Sequence, residues 1–120
     1  MAENEMKSNQ SDASSRADEN KILLFLGLAT KAGKTASGYD AVSQATRSGS
    51  AFLVLCAEDA SEATARKIAD VCRQEAVPIR RFSTREMLGR FLGKDDRAVA
   101  CILDKGFAGR LLQMLGEDVH

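Results

Sequence analysis

The chain has 120 residues, with 17 basic and 17 acidic side chains, three Cys, one Pro, one His and no Trp. That length predicts one domain. No apolar run reaches the roughly 18–20 residues of a membrane helix, and the polar, acidic opening MAENEMKSNQ is unlike a signal peptide, so a cytoplasmic protein is expected.

Residues 1–20 carry five acids (Glu3, Glu5, Asp12, Asp18, Glu19) and two bases (Lys7, Arg16), a net of −3, which leaves +3 on the rest. They contain no Ile, Leu, Val or Phe. Such a segment has too little apolar surface to offset its ordering entropy, and a disordered acidic tail is expected over 1–20, with the folded domain at 21–120.

From Lys21 the pattern changes. Ile22, Phe25, Leu26 and Ala29 repeat at helical spacing, with Gly33 as the stop. TASG leads to a second helix, YDAVSQATRSG, capped by Ser37 or Asp40, with Val42 and Ala45 facing inward and Gly49 closing it. AFLVLCA is a continuous apolar run of strand length, as in a strand covered on both faces.

Asp59 and Glu62 make a D-x-x-E capping box, with Ser61 as a competing cap, for a helix running to about Glu75. Val77–Phe82 reads as a strand, with Pro78 near its start where a missing donor costs least. Ser83 and Glu86 form a capping box for a fourth helix that carries Leu88, Phe91 and Leu92 and stops at Gly93. After the polar loop Lys94–Arg97, AVACIL is a second buried strand, and Asp104 caps a last helix with Phe107, Leu111, Met114 and Leu115. Helices alternating with short buried strands predict a three-layer α/β/α sandwich.

Several chemistries are excluded by register. LATKAGKT resembles a phosphate-binding loop, but that motif needs a glycine where Leu28 stands, and a strand where the chain reads helical. What remains is Lys31 and Lys34 beside a turn, available to a phosphate. Asp59 follows a strand as a phospho-accepting aspartate would, yet no second acidic pair is placed to hold Mg²⁺. The only histidine, His120, is terminal, which disfavours a histidine-dependent hydrolase. Cys56, Cys72 and Cys101 form no C-x-x-C, and Cys56 and Cys101 read as small apolar strand residues. No metal, cofactor or catalytic residue is expected. Arg66, Lys67, Arg73, Arg80, Arg81, Arg85, Arg90, Lys94 and Arg97 form a basic stretch of the kind that attracts polyanions, or solvates helix faces.

The segments KILLFLGLATKAGKTASGYDAV, RSGSAFLVLCAEDAS, LGRFLGKDDRAVACIL and DKGFA, in this order, resemble the bacterial YlxQ-type branch of the kink-turn RNA-binding superfamily. That group includes the archaeal ribosomal protein L-seven-Ae, and the resemblance spans about residues 21–115. It implies a mixed, roughly four-stranded sheet with TASG as a short strand. It also implies a non-enzymatic protein that binds structured RNA, ribosomal or otherwise translation-related, on the ribosome or away from it, with no DNA partner. The RNA surface of such proteins is the glycine-preceded start of the second helix together with the loop before the last strand.

Kink-turn readers of this superfamily carry G-x-N-E-x-x-K at that helix start. Here Gly38 is kept, while Asp40, Ala41 and Gln44 stand at the Asn, Glu and Lys positions. Asp40 lacks the amide donor, Ala41 accepts nothing, and Gln44 has no charge, each lost base contact being worth about 1–3 kcal/mol. Substitutes are Lys31, Lys34, Lys94 and Arg97 for phosphates and Tyr39 for stacking on an unpaired base, or for covering the sheet edge. The expected RNA-binding set is Lys31, Lys34, Gly38, Tyr39, Asp40, Gln44, Lys94 and Arg97. The alternative is a protein-interaction module that keeps the fold and has lost kink-turn recognition.

Overall fold

A computed structural model describes residues 18–116. The tail expected at 1–20 lies outside the described residues except for its last three, which already belong to a helix. Helix α1 is described over residues 18–31 and is followed by β1 (Thr35–Ser37), α2 (Tyr39–Arg47), β2 (Leu53–Cys56) and α3 (Glu62–Glu75). Then come β3 (Ile79–Arg81), α4 (Arg85–Phe91), β4 (Val99–Ile102) and α5 (Lys105–Leu115).

The strands form one mixed sheet in the order β1-β4-β2-β3. β4 is antiparallel to both β1 and β2, and β2 is parallel to β3. Successive side chains of a strand point to opposite faces, and LVLC and VACI are apolar at every position because both faces are covered. Leu53, Leu55, Ala100 and Ile102 face a cluster with Leu23, Leu26, Leu88 and Leu111, from α1, α4 and α5. Val54, Cys56, Val99 and Cys101 face the other cluster, with Val42, Ile68 and Cys72 from α2 and α3. The expected α/β/α sandwich is what forms.

Helix ends follow local chemistry where a glycine is present. Gly33 at φ 75° closes α1, with Lys34 N–H donating to Ala29 O (2.9 Å) and Gly33 N–H to Thr30 O (2.9 Å), the paired bonds of a Schellman stop. α3 ends with Ala76 at φ 57°, a left-handed position that an alanine fills with strain. The Asp104 cap forms as expected, accepting from Phe107 N–H at 2.8 Å.

Three expected caps are corrected. Ser61, rather than Asp59, caps α3 by accepting from Thr64 N–H, while Asp59 accepts from the first amide of α4, that of Arg85, at 2.8 Å. Thr84 caps α4 in place of Ser83. Ser83 is buried at φ 62° and donates its hydroxyl to Glu19, 3.0 Å away, tying the start of α1 to the end of β3. No side chain caps α2. The corrections at Asp59 and Ser83 have one cause: a side chain committed to a distant element is lost to its own helix.

Candidate functional site

The strand directions gather the carboxyl ends of β1, β2 and β3 with the amino end of β4 at one edge of the sandwich. The starts of α2, α3 and α4 therefore meet there. At the first of these, Gly38 occupies the N-cap position with φ 91° and ψ 148°. Its N–H donates to Val99 O at 3.0 Å and its carbonyl accepts from Val42 N–H at 3.0 Å. A positive φ of this size favours glycine, and no side chain covers the first-turn amides of α2.

Both sequence neighbours of Gly38 hold a cation from a remote part of the chain. Arg97, half-buried in the loop before β4, donates its Nε to Ser37 Oγ at 3.3 Å. Lys67 of α3 sets its Nζ 5.5 Å from the centroid of the Tyr39 ring, a cation–π distance. Tyr39 is half-buried against the α2–α3 cluster. The Tyr39 ring thus packs on that cluster and meets an ammonium. Asp40, Ala41 and Gln44 are exposed on the same helix, with Asp40 in the first turn, where the helix dipole favours a negative charge.

The other expected lysines sit on other parts of the fold. Lys94 is exposed and anchors its loop by donating its N–H to Gly89 O at 2.8 Å. Lys31 is exposed at the end of α1 and borders a hollow between α1 and α4. Lys34 is at the opposite edge of the sheet: its carbonyl accepts from Leu103 N–H at 2.7 Å, and the length of β1, about 10–13 Å, separates it from Gly38. It does not join the Gly38 group.

The basic stretch is largely engaged elsewhere. Arg73 pairs with Asp70, Arg85 with Asp59 and Arg90 with Glu86. Arg81 donates to the carbonyls of Ala57 and Glu58. Lys67 and Arg97 are the members that converge on the start of α2. Sequence reasoning missed the anchoring role of Ser37, the placement of Lys67, and Gly89. That glycine is buried in α4, where the loop backbone at Asp95 and Asp96 crosses it with no room for a side chain. No cluster of three or more metal-ligating side chains occurs among the described residues.

Residues 20–111 match the profile of the ribosomal protein L7Ae/L30e/S12e/Gadd45 family. The chain is 44% identical over 91 residues to the RNA-binding protein YlxQ of Bacillus subtilis (strain 168), covering 76% of this chain and 91% of that protein. To an RNA-binding protein YlxQ of Enterococcus faecium it is 32% identical over 95 residues, covering 79% and 91%. Among solved structures, a protein of unknown function from Bacillus halodurans C superposes with a TM-score of 0.77 at 35% identity, covering 81% of this chain and 98% of that one. The Giardia lamblia 15.5kD RNA binding protein does so with 0.72 at 18% identity, covering 83% and 86%, a likeness of fold alone.

Proposed function

The chain belongs to the ribosomal protein L7Ae/L30e/S12e/Gadd45 family, in its YlxQ-type branch, and on that premise we propose that it is a non-enzymatic RNA-binding protein of the cytoplasm. It contacts structured RNA, ribosomal or otherwise translation-related, through the start of α2 and the loop before β4. The observation that carries this reading is the pair of cations flanking Gly38, Arg97 on Ser37 and Lys67 beside Tyr39. They bring positive charge to a helix start whose amides carry no side-chain cap, and both features favour phosphate. Lys67 supports the reading further, because it supplies from α3 a charge that Gln44 lacks.

With Asp40, Ala41 and Gln44 at the reading positions, binding rests on the RNA backbone more than on guanine edges. The test is a salt-dependent titration against a kink-turn RNA and a matched duplex whose sheared G·A pairs are replaced by Watson–Crick pairs. Steeply salt-sensitive binding with little preference between the two is expected. The triple variant Asp40→Asn, Ala41→Glu, Gln44→Lys should then prefer the kink-turn by about tenfold or more, since each restored base contact is worth about 1–3 kcal/mol. Failure of the protein to bind either RNA would transfer the assignment to a protein partner on the same face.

A further inference from the structure

We infer that the hollow between α1 and α4 is a docking groove for an acidic amphipathic helix of a partner protein. The hollow has a volume of about 540 Å³, with Leu24, Gly27, Leu28 and Phe91 as its apolar surface. Leu24 is 62% exposed and Leu28 57%, more than any other large apolar side chain among the described residues. Neither leucine belongs to the core beneath, so the fold gives no reason for two leucines one turn apart on the solvent side of α1. Exposed apolar surface of this kind, rimmed by polar groups, marks interaction sites.

The rim identifies the partner's chemistry. Lys31 and Arg90 border the groove, and its lining contains no acidic side chain. Glu86 approaches Arg90 from the α4 surface at 3.5 Å, an exposed contact that a partner carboxylate can share or replace. Lys21 continues the stripe one turn before Leu24, so α1 presents Lys21, Leu24, Leu28 and Lys31 along one side. The two lysines are ten positions apart, about 15 Å along the helix, the length of about three helical turns. The complement is a helix of that length with leucine-like residues at its centre and carboxylates at both ends.

Gly27 keeps the floor low. A Cβ there would meet Phe91 Cδ1 at 3.6 Å and Phe91 O at 3.8 Å, ordinary contacts, so the first atom of a side chain fits at the groove floor. Leu24 and Leu28 are aliphatic and give bases no stacking face, which favours a peptide over a nucleic-acid strand. The groove is on the α1 and α4 side of the sheet, whereas α2 packs on the other side, so it is separate from the Gly38 site and meets the loop before β4 only at Gly93.

The probe is a labelled synthetic helical peptide of about 14 residues, leucines at i, i+3, i+4 and i+7 flanked by glutamates, against a twin with lysine for every glutamate. Fluorescence anisotropy with the full chain should show the glutamate peptide binding at least about tenfold more tightly, with the gap closing at high salt. Gly27→Leu, and separately Leu24→Glu with Leu28→Glu, should weaken it by about tenfold or more while thermal midpoint and RNA affinity are retained. Absence of binding, equal binding of the twins, indifference to these variants, or displacement of the peptide by RNA would each overturn the proposal. So would self-association in sedimentation that Leu28→Glu abolishes, because a second copy would then fill the groove.

Discussion

Replacing Gly89 with Ala isolates the contact that fixes the loop before β4. The added methyl would overlap the carbonyl oxygen of Asp95 and lie 2.6 Å from its carbonyl carbon and 3.1 Å from Asp96 Cα. These are backbone atoms, which no rotamer change moves aside. The loop is also pinned on both sides, by Lys94 N–H to Gly89 O at 2.8 Å and Arg97 N–H to Arg85 O at 3.0 Å. Helix propensity alone favours the substitution by about 1 kcal/mol. Overpacking of this kind costs about 1–3 kcal/mol and occasionally more, so the net expectation is a loss of up to about 2 kcal/mol. For a domain of this size that lowers the midpoint by several degrees, at about 4–8 °C per kcal/mol. Gly109→Ala in α5 is the control, since its Cβ meets nothing within 4 Å and only the propensity gain of about 1 kcal/mol remains. Thermal and denaturant unfolding should move the two variants in opposite directions, and Gly89→Ala should also weaken RNA binding by displacing Arg97. Equal stabilisation of both, with RNA affinity unchanged, would refute the close-approach argument.

Ala76→Gly should raise stability by up to about 1 kcal/mol, because φ 57° at the end of α3 suits glycine; denaturant midpoints will show it. Arg97→Ala and Lys67→Ala should each reduce RNA affinity and flatten its salt dependence, whereas Lys34→Ala, at the opposite sheet edge, should leave both unchanged. Burial pushes the Cys72 and Cys101 thiols up to about 11 from the ordinary value of 9.0. The fold therefore favours the protonated thiols, whose contribution is complete below pH 9 and is lost as pH rises from about 9 to about 11. Denaturant unfolding across that interval should show a steeper decline than in the Cys72→Ala, Cys101→Ala double variant, and parallel curves would contradict this.

Elements defined by their own residues were legible. LVLC and VACI announce covered strands because every position is apolar, and Asp104 announces a cap because it lies just before its helix. Thr35–Ser37 was not readable from its composition. It holds three small residues, and only the register against β4 makes it a strand; the family resemblance supplied it. The caps at Asp59 and Ser83 failed because each side chain serves a distant element, Arg85 in one case and Glu19 in the other. The same limit applies to the site. Gly38 is conspicuous in sequence, but the approach of Arg97 depends on β1 pairing with β4, and that of Lys67 on α2 packing beside α3.

The place of β4 has a consequence for how the chain acquires its shape during synthesis. The last strand to be made is an interior one: until Val99–Ile102 are available, β1 has no partner and β2 has only β3. A nascent chain ending before Val99 can form helices and the β2–β3 pair, but neither apolar cluster is complete. Consolidation must wait for contacts between the two ends of the domain, and such distant contacts fold more slowly than local ones. A polypeptide stalled or cleaved before β4 therefore exposes the apolar faces of β2 and becomes a substrate for chaperones and proteases.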